Sequence, residues 1–474
     1  MVIKFGTDGW RAVMAEDFTF ANCRVVAQGI AAYVNSRNMA KKGIVIGYDN
    51  RFMSERFALE CGKVLAGNGI KVYMGKRAMP TPVTAFAIRA LDAAGAVMIT
   101  ASHNPPEYNG IKFIPEYAGP AMPDVTDVIE QQVKKVLETG KVYELSVVEA
   151  ERLELWQEID MEDAYAEHVL SLIHKESFSR PLKVVVDPMY GAGIGYLDRI
   201  LEGLGCEVRT VNNYRDPLFG GSMPEPIDRM LGSLKRAVAA YEADVGLALD
   251  GDADRFGVVD NEGQFVTANQ LMYLLLLHLL KTRSYKGPIA RTVATTHMLD
   301  RIAKRFGLAV IETPVGFKYI GECLREKGCL LGGEESGGLS IFGHVPEKDG
   351  ILACLLAAEM LAASGKTVSQ LKAEVEKEYG MLVSRRIDIK VKEHEKAQII
   401  TRLAEYTPKT VADIKVESIN TVDGKKVVLE DGSWFLVRAS GTEPLFRIYL
   451  ETAEEEKMAK IEEEVLKALE IEFF

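Results

Sequence analysis

Short apolar runs alternate with longer helical patterns through the first three quarters of the chain, and this rhythm restricts the fold more than any other feature. GIVIGYD (Gly43–Asp49) and AGAVMIT (Ala94–Thr100) read as buried strands. Helical patterns at Ala21–Ser36 and Glu55–Asn68 alternate with them. The rhythm resumes at Leu182–Asp187, Asp244–Leu249, Ile289–Ala294, Leu308–Glu312 and Cys329–Leu331. Strands alternating with helices predict α/β units built on mostly parallel sheets. After Gly380 the pattern changes to alternating strands, a loop and a charged final helix, which predicts a smaller α+β unit. Breaks are expected in the charged segment Lys141–Asp163, at the turn Asp260–Gly263, and after the helical stretch Val368–Tyr379. The expected domains are therefore 1–152, 153–259, 260–379 and 380–474.

The net charge is −11, from 57 basic and 68 acidic residues. That balance argues against a nucleic-acid partner, which calls for a basic face. It leaves room for an anionic small molecule, provided that the cations gather in one cleft. The first ten residues contain no apolar leader. Leu271–Leu280 is the most apolar stretch, yet it contains His278 and falls short of the roughly 20 residues of a membrane span. It reads as a buried helix. Cys23, Cys61, Cys206, Cys323, Cys329 and Cys354 form no CxxC pair and read as reduced thiols without a role. A cytoplasmic protein with no membrane or nucleic-acid partner is expected.

Unusual residues concentrate where predicted strands end, which is where open α/β sheets bind ligands. TASHNP (Thr100–Pro105) places Ser102 at a strand terminus, with His103 beside it and Lys112 in the following NGIKF. A serine oxygen there can attack or carry a phosphoryl group, and His103 or Lys112 can supply protons or charge. DGDADR (Asp250–Arg255) sets three carboxylates at alternate positions directly after a strand. Such crowding calls for a cation, and phosphate chemistry favours Mg²⁺. The calcium-loop alternative fails because the twelfth position holds Asn261 instead of Glu. Arg255 is placed to neutralise a phosphate oxygen. Glu334 and Ser336 in GGEESGG, and the hydroxyl and ammonium groups of TPVGFK (Thr313–Lys318), suit a polar ligand. RASGTEP (Arg438–Pro444), with Arg447 beyond it, combines Arg, hydroxyl and Gly donors suited to a phosphate dianion. Gly191–Gly195 lacks dinucleotide-loop spacing and reads as a tight turn. The chain contains neither a G-x-x-x-x-G-K-[ST] nor a G-x-S-x-G motif.

In this order and at these spacings, FGTDGWR, TASHNP, DGDADR, TPVGFK, GGEESGG and RASGTEP resemble the α-D-phosphohexomutase superfamily over nearly the whole chain. The resemblance implies three related α/β/α domains and a C-terminal α+β domain similar to the TATA-box-binding-protein-like folds, set around a central cleft. It implies that Ser102 is the phosphoserine. Mg²⁺ would be held by Asp250, Asp252, Asp254 and an oxygen of phosphorylated Ser102. Arg11, His103, Lys112 and Arg255 would surround the transferring group. Glu334 and Ser336 would grip the sugar, with Thr313, Gly316 and Lys318 nearby. Arg438, Ser440, Gly441, Thr442 and Arg447 would hold the phosphate that does not react. The implied activity interconverts hexose 1-phosphate and hexose 6-phosphate, with hexose 1,6-bisphosphate as intermediate and activator, in a monomer or homodimer.

GGEESGG, PEYNG and VGFK are more similar to glucose-type members, and Gly338 stands where some members have His. Phosphoglucosamine mutases usually carry Gln at the position of Glu335 and an acidic residue at that of Phe317. Glucose phosphates are the expected substrates, with mannose phosphates as a second pair. Phosphoglucosamine mutation, a phosphotransferase that releases a sugar bisphosphate, and a non-catalytic phosphosugar-binding protein stay open.

Overall fold

A computed structural model of the chain describes residues 3–6, 9–439 and 445–470, the side chain of Glu393 aside. Four sheets succeed one another along the sequence. The first runs in the order Trp10–Val13, Tyr108–Pro115, Gly95–Ile99, Ile44–Tyr48, Val72–Gly75, Trp156–Ile159. The second runs Phe265–Val266, Phe256–Asp260, Val245–Leu249, Lys183–Asp187, Glu207–Thr210. The third runs Val310–Thr313, Ile289–Thr292, Leu331–Gly333, Leu339–Ile341. Helices flank these three sheets, as the alternating pattern requires.

The parallel expectation holds for the centre of each sheet and fails at one recurrent place. Gly95–Ile99 pairs parallel to Ile44–Tyr48, but the next strand, Tyr108–Pro115, returns antiparallel to it. Val245–Leu249 and Phe256–Asp260 repeat the arrangement, as do Leu331–Gly333 and Leu339–Ile341. Each unit thus turns back on itself through one loop at a carboxyl strand end. Those loops carry Ser102, the Asp250–Asp254 run, and Glu334 with Ser336. NGIKF belongs to the return strand, so Lys112 is fixed by a ladder instead of a flexible loop.

Two expected breaks shift. Trp156–Ile159 pairs with Val72–Gly75, so the first sheet extends past 152. The Asp260–Gly263 turn joins Phe256–Asp260 to Phe265–Val266 within the second sheet, so that sheet extends past 259. A turn signal marks a hairpin as readily as a domain boundary, and charge alone did not reveal the short strand after Arg152.

One apolar cluster runs through all three α/β units. Its centre is the helix Gly350–Ser364, buried from Gly350 through Ala362 and apolar all round except at Glu359. The helix Ala268–Thr282 packs beside it. His278 of that helix meets the buried Glu359 at 2.8 Å, and Arg283 adds a bond of 2.7 Å to the same carboxylate. Among the described residues no single helix is long and apolar enough to cross a membrane. All six cysteines are buried and free.

The fourth sheet is antiparallel, in the order Val383–Lys390, Leu445–Thr452, Trp434–Ala439, Lys425–Leu429, Ile414–Asn420, Thr410–Val411. Alternation along its strands divides two cores. Phe435, Val437, Phe446 and Ile448 face the helices Glu393–Glu405 and Glu455–Leu469. Trp434, Leu436 and Tyr449 face Val293 and Ala294 of the third unit. Polar bonds seal that junction. Lys426, 1% exposed, bonds Glu312 at 2.7 Å, and Asn420 donates to the other oxygen of Glu312 at 2.7 Å. Arg291 completes the cluster from the third sheet.

Burial alone would raise the Glu312 carboxyl, but Lys426 and Arg291 outweigh it and hold it down at about 2. A depressed carboxyl stabilises the fold above its unfolded value. The contribution is therefore lost as pH falls from about 4.3 toward about 2. Glu312→Gln leaves two buried cations without their shared partner, at an expected cost of about 3 kcal/mol. Urea unfolding followed by tryptophan fluorescence, in a background where Trp10 and Trp156 are replaced by Phe so that Trp434 under Lys426 reports, measures it.

Candidate active site

Gly95–Ile99 is buried along its whole length and delivers Thr100, Ala101 and Ser102 to the top of the first sheet. Ser102 has φ of 50°, an unusual backbone for a non-glycine residue. Its N–H donates to Thr100 Oγ1 at 2.8 Å. The hydroxyl donates to Asp250 Oδ2 at 3.0 Å and lies 3.2 Å from His103 Nδ1. Arg11 donates to Asn104 Oδ1 at 2.8 Å and so braces the same loop.

The acid run answers Ser102 from the second unit. Ligand oxygens of Asp250, Asp252 and Asp254 all lie within 4.8 Å of one another, and all three residues are buried. Each is held from a different direction. Asp250 accepts from the N–H of Arg255 at 3.0 Å. Asp252 accepts from Thr81 Oγ1 of the first unit at 2.6 Å. Asp254 faces Lys348 at 3.0 Å and Lys112 at 3.3 Å. Burial, then the charges of Asp252 and Asp254, raise the Asp250 carboxyl well above its usual range. Asp254 is pulled the other way: burial would raise it, but Lys348, Lys112 and Arg255 lower it. Asp252 Oδ1 and Asp254 Oδ1 are buried without a hydrogen-bond partner. Hard oxygens, crowded charge and two unsatisfied acceptors fit a hard divalent cation.

His103 is held down at about 2, first by the Arg255 guanidinium and then by burial. It is therefore neutral near pH 7 and offers the serine oxygen a hydrogen-bonding ring instead of a positive charge. Lys112, Lys348 and Arg255 supply the cations.

Beside this centre opens a cavity of about 550 Å³. His103 and Arg255 stand at one side, Gly316, Lys318, Glu334 and Ser336 at another, and Arg438 and Arg447 at the fourth sheet. Lys348 and Arg386 line it as well. A chain of net charge −11 thus concentrates positive groups in one hollow, as an anionic ligand requires. Gly316, with φ of 129°, turns its N–H onto Glu334 Oε1 at 2.9 Å. Arg438 bonds Asp423 at 2.8 Å, and the other oxygen of Asp423 accepts from the N–H of Val315 at 2.9 Å, linking the fourth unit to the third. Ser440, Gly441 and Thr442 lie outside the described residues.

Thr313 is a correction. Its hydroxyl turns to the carbonyls of Pro314 and Arg291, and it does not line the cavity. It is buried as the last residue of the strand Val310–Thr313, and the loop after it, Pro314 to Gly316, lines the cavity. Arg11 also stays outside the lining, bonds Asn104, and adds its charge beside His103. The sequence reading missed Lys348, Arg386, Thr81 and Arg51. PEKDG before a buried helix offered a weak signal for Lys348, whereas Arg386 lies inside a strand and offered none. The Gly191 turn, which seemed inert, packs on the acid loop: Ala192 N–H donates to Gly251 O at 2.9 Å.

Four sheets around a basic cleft, with a serine set against an acid triad, define an α-D-phosphohexomutase. The four domain models of the phosphoglucomutase/phosphomannomutase family match in succession: α/β/α domain I at residues 2–139, domain II at 163–263, domain III at 267–379, and the C-terminal domain at 387–468. A phosphoglucomutase/phosphomannomutase of Thermococcus kodakarensis is 34% identical, covering 98% of each chain. A probable phosphoglucosamine mutase of Methanothermobacter thermautotrophicus is also 34% identical, over 98% of this chain and 97% of its own. The crystal structure of a putative phosphomannomutase from Thermus thermophilus is 34% identical and superposes with a TM-score of 0.85 over 99% of both chains. The chain belongs to the phosphoglucomutase/phosphomannomutase family and is a mutase, an isomerase of carbohydrate metabolism.

Burial, and then the charge of Glu335, raise the Glu334 carboxyl to about 7. A raised carboxyl favours the fold at low pH and loses that contribution as pH rises from about 4.3 through about 7. Glu334→Gln keeps an acceptor for Gly316 and removes the titration. Its melting temperature, relative to wild type, is expected to be higher at pH 8 than at pH 5. A constant difference across that range contradicts the assignment.

Proposed function

We propose that this protein interconverts glucose 1-phosphate and glucose 6-phosphate, accepts mannose phosphates as a second pair, and works through phosphorylated Ser102. The observation that carries the reading is the Ser102 hydroxyl, 3.0 Å from Asp250 at the head of a basic cleft. The donor set fits Mg²⁺, which Asp250, Asp252, Asp254 and an oxygen of the phosphoserine would hold. When bound, the ion neutralises charge on the phosphoryl oxygens.

In the forward step a sugar hydroxyl attacks phosphorus, the bond to Ser102 Oγ breaks, and a new phosphorus–oxygen bond forms on the sugar. The hydroxyl proton leaves to Lys112 or His103. Arg255 and Lys348 face the charge that spreads over the transferring group, joined by Lys112 where His103 takes the proton. Glu334 and Ser336 bind sugar hydroxyls. Lys318 stands beside them, and Arg438 and Arg447, with Ser440, Gly441 and Thr442, hold the phosphate that is not reacting. The resulting hexose 1,6-bisphosphate turns over in the cleft and returns its other phosphate to Ser102, so the bisphosphate also serves as activator.

The second reading is glucosamine phosphate as substrate. The name of the Methanothermobacter relative favours it, at the same identity as the phosphoglucomutase/phosphomannomutase relative. Glu335 and Phe317, where phosphoglucosamine mutases usually carry other residues, favour glucose. The buried unpaired cysteines support a cytoplasmic setting.

Parallel turnover assays on glucose, mannose and glucosamine phosphates, primed with the matching bisphosphate and Mg²⁺, test the choice. The highest kcat/KM is expected for glucose phosphates, with activity abolished by EDTA and restored by Mg²⁺. A higher kcat/KM for glucosamine phosphates replaces the assignment. Lys112→Met is expected to lower kcat by about 100-fold or more. Normal turnover in that variant removes Lys112 from the proton-moving role.

A further inference from the structure

We propose that Arg51 is the positioning residue that shapes the Ser102 loop, an inference that rests on the mutase reading above. Arg51 follows the strand Ile44–Tyr48 and its side chain is 0% exposed. The guanidinium sits inside the loop that joins Gly95–Ile99 to Tyr108–Pro115. Nη1 donates to the carbonyls of Pro105 at 2.7 Å and Tyr108 at 3.0 Å. Nη2 donates to those of Ser102 at 2.7 Å and Asn104 at 2.6 Å. Nε faces Asp49 Oδ2 at 3.2 Å, and Asp49 is fixed in turn by the Arg51 N–H and the Ser54 hydroxyl. The Phe219 ring, from the second unit, lies 4.9 Å from the guanidinium carbon and closes it over.

The consequence is geometric. The carbonyls of Ser102, Asn104, Pro105 and Tyr108 turn inward onto one planar cation. Buried carbonyls need donors, and a fork of four Nη hydrogens serves all four at once. A lysine ammonium offers three donors from one point and cannot span them. The clamp reaches the chemistry through the Ser102 carbonyl. That oxygen lies between Arg51 Nη2 and the acid loop, where a Cβ added at Gly251 would come within 2.6 Å of it. Ser102 also holds a left-handed backbone at this point, φ of 50°. With the carbonyl pinned on both sides, the hydroxyl is aimed at Asp250. Arg51 itself does not line the cavity, so it sets the alignment of the reacting oxygen and leaves sugar binding alone.

The test compares Arg51→Lys, Arg51→Met and Phe219→Ala with wild type in the full-length protein. Steady-state rates are measured with bisphosphate and Mg²⁺, and thermal melts confirm folding. Both Arg51 variants are expected to lose kcat on the order of 100-fold, the scale of a misplaced reacting group. KM stays within about threefold, because no ground-state contact is removed. Phe219→Ala, which removes no hydrogen bond to Arg51, is expected to lose less, with the same split. A folded Arg51 variant with wild-type kcat overturns the proposal, as does a loss that resides in KM. Should both Arg51 variants fail to fold, Phe219→Ala decides: lowered kcat at constant KM supports the clamp, and unchanged kcat overturns it. A wild-type protein without turnover overturns the mutase reading and the clamp with it. Active wild type beside unaffected variants overturns the clamp alone.

Discussion

Three carboxylates crowded into a buried loop are the constraint on which the rest of the site depends. Asp250, Asp252 and Asp254 would repel one another and resist burial if left alone. Each surrounding unit contributes an answer. The first sends Thr81 and Lys112, the second supplies the Arg255 N–H, and the third sends Lys348. Ser102 then donates to Asp250, a carboxylate that burial and its neighbours push up. The same charge that makes the loop expensive to bury suits it to a cation, and it ties three sheets to one point.

The fold makes that convergence repeatable. Each α/β unit ends a central strand, opens a loop, and returns antiparallel. The device presents the serine, the acids and Glu334 with Ser336 from equivalent places. The shared apolar cluster around Gly350–Ser364 fixes the three units against one another. The fourth sheet joins through Trp434, Leu436 and Tyr449 and the Glu312–Lys426 pair, and it brings Arg438 and Arg447 to the cavity from the far side. An acidic chain thereby acquires a basic cleft.

The central strands and the Ser102 and Asp250–Asp254 loops were legible because rare polar patterns directly follow strongly apolar runs. Residues that act through tertiary contacts were not. Arg386 reaches the cavity by packing, Lys348 left only the weak PEKDG signal, and Arg51 works through four carbonyl contacts and an ion pair within its own unit. Lys112 was read from the NGIKF motif without a strand assigned to it, and it lies in the return strand because its hairpin partner supplies the order. Thr313 was read as a ligand contact because it stands in a suggestive motif, yet its hydroxyl is consumed by backbone carbonyls. The breaks at 152 and 259 were misplaced because Trp156–Ile159 and Phe265–Val266 are short strands recognisable by their partners alone.

The central claim is that Ser102 carries the phosphoryl group. Protein freed of phosphate, incubated with glucose 1,6-bisphosphate and Mg²⁺ and digested for mass spectrometry, tests it most directly. One phosphate on the peptide containing Ser102, lost again when excess glucose 6-phosphate is added, is the expected result. Phosphate on another residue, or catalytic turnover by Ser102→Ala at the wild-type rate, would contradict it.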